Sequence, residues 1–168
     1  MNYASIKNCD IANGPGVRIS LFVSGCTHHC KDCFNQEAWD FDYGRVFDQS
    51  VMDHLLELLK PGYIRGITYL GGEPLDPRNQ AGLLELSQQI KARMPEKSIW
   101  CFTGYVWENL PRVPGVTDEL LSLCDVLVDG PFVAEKKNLS LRFRGSENQR
   151  LIDVPRSLAE SRVVLWDE

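Results

Sequence analysis

Cys26, Cys30 and Cys33 are the residues of this chain best suited to chemistry. Their spacing, C-x-x-x-C-x-x-C, puts three thiols on one short loop directly after an apolar run. Structural zinc wants four ligands, normally as two pairs. His28 or His29 could supply a fourth, but both lie inside the same tight loop, where closing a tetrahedron is awkward. Cys9, Cys101 and Cys124 form no C-x-x-C pair, and a thioredoxin-like motif needs two cysteines rather than three. A [4Fe–4S] cluster accepts thiolates at close spacing on one loop. With three of them, one iron keeps an open position, the mark of a metal site that does chemistry. Such an iron could bind a chelating amino acid and pass it an electron.

The elements that must position this loop follow from hydrophobic pattern. Asn13-Gly-Pro-Gly16 reads as a turn feeding a buried strand, Val17 to Val23. Phe34 to Tyr43 reads as an extended loop. Ser50 with Asp53 resembles a capping box opening a helix, with Val51, Met52, Leu55, Leu56 and Leu59 on one face and Pro61-Gly62 as its stop. Ile67 to Leu70 is the second expected strand, ending in Gly71-Gly72-Glu73-Pro74. A helix from about Gln80 to Arg93 follows, then a third strand, Ser98 to Phe102, ending in Thr103-Gly104-Tyr105. Thr117 is the expected cap of a short helix carrying Leu120, Leu121 and Leu123. Asp125 to Val128 is the fourth strand, ending in Asp129-Gly130-Pro131. Leu151 to Val154 and Arg162 to Trp166 are candidates for two more.

Strands alternating with helices imply βαβ units and a largely parallel sheet. Four consecutive strands each run into a polar or glycine-bearing cluster. In a parallel sheet those strand ends share one side, where such folds bind ligands. The pattern therefore gathers the clusters around one site.

C-x-x-x-C-x-x-C with a downstream Gly-Gly-Glu-Pro resembles the radical S-adenosylmethionine enzymes. Within them, Asn13 to Arg18, Leu21 to Cys26, Cys33 to Trp39, Val128 to Phe132 and Leu141 to Arg150 are similar to the activating proteins of anaerobic ribonucleotide reductase. The resemblance covers about residues 7 to 155. It implies an α/β fold, a partial, laterally open (β/α) barrel with a mostly parallel sheet, as one domain over residues 1–168. It implies a [4Fe–4S] cluster on Cys26, Cys30 and Cys33, and S-adenosyl-L-methionine as the second cofactor. The implied reaction is abstraction of a hydrogen from a glycine Cα of the large reductase subunit, leaving a stored glycyl radical. A low-potential donor such as flavodoxin is the implied electron source.

The same resemblance assigns Gly71, Gly72, Glu73 and Pro74 to the methionine part of the cofactor. Asp32 and Phe34 flank the last ligand and are expected near the adenine. Asp32 stands where many superfamily members carry an aromatic residue. Thr103, Gly104, Tyr105 and Asp129 end strands and are candidates for ribose or methionine carboxylate contacts; Asp129 is equally a turn residue before Gly130. Arg142, Arg144, Asn148 and Arg150 form a basic patch, serving contacts or solvated surface. His28 and His29 read as loop surface. Cys9, Cys101 and Cys124 read as buried thiols. Trp39, Trp100, Trp107 and Trp166 read as core or interface area.

The chain has 168 residues and a net charge of -5, which argues against a general nucleic-acid binder. No run approaches eighteen apolar residues, and Met1 to Lys7 lacks the apolar core of a signal peptide. A cytoplasmic setting, with reduced thiols, is expected. Closed eight-stranded barrels take about 250 residues, so at most six strands are expected here, open on one side. An open side suits a protein substrate. Rival readings are a radical enzyme for a small deazapurine-type molecule, an activase for another glycyl-radical enzyme, and a non-enzymatic zinc or iron–sulfur module.

Overall fold

A computed structural model describes residues 1–30 and 36–167. Its framework is an open seven-stranded sheet in the order β3-β1-β2-β4-β5-β6-β7. The strands are β1 (Asn2–Asp10), β2 (Val17–Val23), β3 (Arg45–Val46), β4 (Ile64–Gly71), β5 (Ser98–Phe102), β6 (Val126–Asp129) and β7 (Arg150–Asp153). Neighbours β2, β4, β5 and β6 pair in parallel. Antiparallel β1 and β7 flank them, and β3 extends the β1 edge. The helices are α1 (Gln49–Leu59), α2 (Pro77–Arg93), α3 (Thr117–Leu123) and α4 (Val154–Glu160).

Strand alternation divides the buried residues between two faces. Ile19, Leu21 and Val23 of β2, Ile67 and Tyr69 of β4, Ile99 and Cys101 of β5 and Leu127 of β6 join one core. Leu55, Leu56 and Leu59 of α1, Leu83, Leu86 and Ile90 of α2, and Leu120 and Leu121 of α3 complete it. Trp100, Val126 and Val128 form a second cluster, against which Phe143 and Trp166 pack. The alternate β2 residues Arg18 and Ser20 are buried and polar. Arg18 threads under the sheet: Nε donates to Thr68 Oγ1 at 2.9 Å and Nη1 to Ser98 Oγ at 2.8 Å. Its Nη2 donates to the Ile67 and Ser98 carbonyls. Burial holds the Arg18 guanidinium down to about 10. One side chain thus ties β2, β4 and β5 together at the end opposite the clusters.

Several boundaries differ from expectation, each for a local reason. Asp48, not Ser50, caps α1: its carboxylate accepts from Val51 N, while Ser50 Oγ donates to that same carboxylate. Asp53 instead accepts from Gln49 Nε2. Helix α2 starts three residues before Gln80, because Asp76 caps it and Pro77 suits a first helical position. Thr117 lies inside the first turn of α3, its hydroxyl donating to Gln80 Oε1 at 2.6 Å. Strand β6 runs one residue later than expected, Val126–Asp129. Val154 opens α4 rather than ending a strand, since Asp153 caps that helix. The stretch from Arg162 to Trp166 makes an isolated bridge, Leu165 to Ile152, rather than a strand. Among the described residues there are seven strands, where at most six were expected. The addition at the front is β1, which is largely half-exposed or exposed and so carries little apolar signal. Of the expected loop from Phe34 to Tyr43, Gln36–Trp39 form a 3-10 turn, and Phe34 and Asn35 lie outside the described residues.

Candidate functional site

The carboxyl ends of β2, β4, β5 and β6 converge on one cavity of about 180 Å³. Cys26, His28 and Cys30 line it from the loop after β2, with Trp39 beyond. Leu70, Gly71, Gly72 and Glu73 line it from the end of β4, and Phe102, Thr103 and Gly104 from the end of β5. Gly130 follows β6, and Phe132 and Gln149 close the rim. The expected gathering of the four clusters is therefore observed. Asp32, Cys33 and Phe34 lie outside the described residues.

Close backbone packing seats the cysteine loop on β4. Gly72 N donates to Val23 O at 2.9 Å and Glu73 N to Gly25 O at 2.7 Å. A Cβ on Gly72 would meet Gly25 O at 2.5 Å, so only glycine lets the segments approach this far. Asn79 Nδ2, from α2, clamps the junction by donating to Ser24 O and Glu73 O. Cys26 N donates to Trp39 O at 3.1 Å, which fixes the far side of the loop.

Glu73 is the hub of the site, with no exposed surface. Its Oε1 accepts from His28 Nε2 at 2.7 Å and from Gly104 N at 2.6 Å. Its Oε2 accepts from Leu75 N and Thr103 Oγ1, both at 2.8 Å. A carboxylate has about four lone-pair sites, so its acceptor capacity is used within the protein. Glu73 joins the cysteine loop, its own turn and the end of β5. Pro74 is buried behind it and does not line the cavity.

His28 is not loop surface. Besides its bond to Glu73, its ring meets Tyr105 edge-on, with centroids 4.4 Å apart. His29 is exposed and stacks on Trp39 at 4.2 Å. Burial pushes the Cys26 thiol up to about 11; the nearby backbone amides of His28 and His29 pull the other way, while Glu73 and Cys30 raise it further.

Other candidates take structural roles. Asp129 is buried and outside the cavity lining. It accepts from Arg150 Nε at 3.0 Å, Arg150 Nη2 at 2.5 Å and Trp107 N at 2.9 Å. Arg150 also reaches Glu108. Arg144 donates to Gln149 O and Asn148 Nδ2 to Pro131 O, so both brace the rim segment. Arg142 is exposed, its guanidinium 4.5 Å from the Phe143 ring centroid. Cys101 and Cys124 are buried as expected, but Cys9 is exposed, on a bulged part of β1 with φ 59°. Trp100 is core, whereas Trp39 belongs to the cavity wall. Sequence reasoning missed His28, Trp39, Phe132 and Gln149 as site residues. Their nearness to the cysteines or to the strand-end glycines was the available signal.

Two soft sulfur ligands beside an open cavity fit a cluster, with Cys33 as the third member of the motif. A Fe–S domain match agrees with that donor set: a model described as a 4Fe-4S single cluster domain matches residues 12–152. The chain is 42% identical to the anaerobic ribonucleoside-triphosphate reductase-activating protein of Enterobacteria phage T4 over 90% of this chain and 93% of that one. It is equally 42% identical to the proteins of that name from Vibrio cholerae and Escherichia coli K12, over 89% of this chain and 96% of each. Since the family match spans most of the chain and takes in the cysteine loop, and the relatives align over about nine-tenths of it, this chain belongs to the family of anaerobic ribonucleoside-triphosphate reductase-activating proteins.

Proposed function

We propose that this chain is a radical S-adenosylmethionine activase for the large subunit of an anaerobic ribonucleotide reductase. The observation that carries the reading is the convergence of Cys26 and Cys30 with the carboxyl ends of β4, β5 and β6 on one cavity. Cys26, Cys30 and Cys33 would hold a [4Fe–4S] cluster, and Leu70 to Gly72 with the Thr103–Gly104 strand end would cradle S-adenosyl-L-methionine. When bound, that pair supplies reductive cleavage of S-adenosylmethionine and a carbon radical able to take a glycine Cα hydrogen.

The chain's own residues contribute position and exclusion. Glu73 fixes the spacing between the ligand loop and the end of β5. Phe102 and Phe132 give the cavity an apolar wall that keeps water from the reacting atoms. Asp129, bound to Arg150 and Trp107 N, holds the β6 end beside them. Asp32 and Phe34, next to Cys33, are assigned to the adenine. The open sheet leaves room at the mouth for a protein segment carrying the target glycine. Flavodoxin or a similar low-potential donor supplies the electron, in the cytoplasm.

The test mixes anaerobically reconstituted protein, reductant and S-adenosylmethionine with the reductase large subunit. A glycyl doublet by electron paramagnetic resonance, with release of 5′-deoxyadenosine, is expected. Release of 5′-deoxyadenosine without the doublet would remove the reductase as target. Absence of both, in protein carrying its cluster, would remove the radical chemistry.

A further inference from the structure

Trp39 carries a buried donor that the chain's own groups leave unused. Among the described residues, its Nε1 is one of two buried side-chain nitrogens or oxygens with no hydrogen-bond partner. An indole nitrogen can only donate. Burial keeps water from the atom, so the lost hydration is not offset. Native proteins tolerate few such groups. This one belongs to a residue that lines the cavity beside Cys26 and Cys30.

Several contacts fix the indole against the cysteine loop. Trp39 O accepts from Cys26 N at 3.1 Å. The exposed His29 ring stacks on the indole, with centroids 4.2 Å apart and planes 19° apart. Two residues on, Phe41 packs so closely on Gly25 that a Cβ there would meet its Cδ1 at 1.9 Å. The Arg78 guanidinium stands 3.4 Å from the Phe41 ring centroid and holds that ring in turn. Three other lining residues carry side-chain oxygens, and all three are engaged. Glu73 accepts from His28, Leu75, Thr103 and Gly104. Thr103 Oγ1 donates to Glu73 and accepts from Tyr105 N. Gln149 Oε1 accepts from Gly145 N and Ser146 N. The other side-chain acceptors on this wall are the sulfurs of Cys26 and Cys30.

We infer that Trp39 is a further binding residue of the cavity: its indole N–H donates to a sulfur of the iron–sulfur cluster held by the cysteine loop. This rests on the reading of Cys26, Cys30 and Cys33 as cluster ligands. A neutral thiol is a weak acceptor. A metal-bound thiolate or bridging sulfide carries negative charge and accepts more strongly. The donor is therefore matched to the loop in its cluster-bound form. Hydrogen bonds to cluster sulfurs are among the factors that set reduction potential. Donation stabilises the reduced, more negative cluster, so losing the bond makes the potential more negative.

The full chain is compared with Trp39→Phe, which keeps an aromatic ring for His29 but has no N–H. Ultraviolet resonance Raman reads the indole directly, because one tryptophan band moves with hydrogen bonding at Nε1. The difference between parent and variant isolates Trp39 from Trp100, Trp107 and Trp166. In cluster-free protein the Trp39 band is expected where an unbonded indole absorbs intensity. After anaerobic reconstitution it is expected to shift to the bonded position. In an anaerobic redox titration, the midpoint potential of Trp39→Phe is expected to lie below the parent's. Should Trp39→Phe not fold, Trp100→Phe, Trp107→Phe and Trp166→Phe assign the band by elimination, and its shift alone decides. A Trp39 band at the same position in both forms, in protein with its full iron content, overturns the inference. So does an unchanged potential in Trp39→Phe. A parent protein that binds no iron removes the proposed function and this inference with it; iron analysis tells that failure from the other two.

Discussion

Cys26 and Cys101 show how one residue type takes opposite roles by environment. Cys101 is 1% exposed in the middle of β5, and burial pushes its thiol well above the ordinary range. Nothing there stabilises a thiolate, and thiolates are what bind metal. Cys26 is half-buried and opens on the cavity it shares with Cys30. On the proposed function, loading a cluster there would displace the Cys26 proton. Cys30→Ala is therefore expected to lose the brown iron–sulfur absorbance and S-adenosylmethionine cleavage. Cys101→Ala is expected to keep the absorbance, at a cost of about 1 kcal/mol in stability for a small void. Anaerobic reconstitution followed by visible spectra and iron analysis checks both. A full cluster in Cys30→Ala, or none in folded Cys101→Ala, would reverse the assignment.

At the scale of elements, the four parallel strands were legible because each is a short apolar run closed by glycine or a polar group. Their common direction followed from the helices between them, and with it the convergence of Cys26, Glu73 and Thr103. What stayed hidden was long-range. No local pattern marks β1, because Asn2–Asp10 buries little and takes its order from pairing with β2. Nor does spacing say that Glu73 spends its carboxylate on His28, Leu75, Thr103 and Gly104, or that Asp129 spends its own on Arg150. Buried carboxylates find donors, but which donors depends on tertiary approach. Gly72 is a related case: assigned by resemblance to the methionine part of the cofactor, it is also the contact point between the end of β4 and the cysteine loop. Gly72→Ala would push a Cβ against Gly25 backbone atoms at 2.5 to 3.0 Å. Backbone cannot swing aside as a side-chain tip does, so a loss of about 1–3 kcal/mol is expected. Thermal denaturation of cluster-free protein measures it. Cluster retention should fall with it, because the displaced segment is the ligand loop. An unchanged melting temperature would show that the two strand ends are not held together as described.

On the scale of the whole molecule, the sheet ends at β3 on one side and β7 on the other, and these edges do not pair with each other. The cavity lies at the carboxyl ends of the parallel strands, with Phe132 and Gln149 on its rim. The rim segment after β6 is held by few regular elements: a 3-10 turn at Ala134–Lys136 and a single bridge between Lys137 and Ser146. Side-chain bonds brace it instead, Gln149 Oε1 accepting from Gly145 N and Ser146 N while its Nε2 donates to Gly130 O. Segments with sparse backbone pairing open at low free energy. On the proposed function, a glycine presented by a protein partner would enter past this rim, and the contact should then shield it. Hydrogen exchange with and without the reductase large subunit is therefore expected to slow at residues 131–149, and to stay unchanged in α1, on the helix-covered face of the sheet. Protection of α1 with none at the rim would move the docking face to the other side of the sheet. It would also leave the open cavity without the cover that the proposed glycyl-radical chemistry requires.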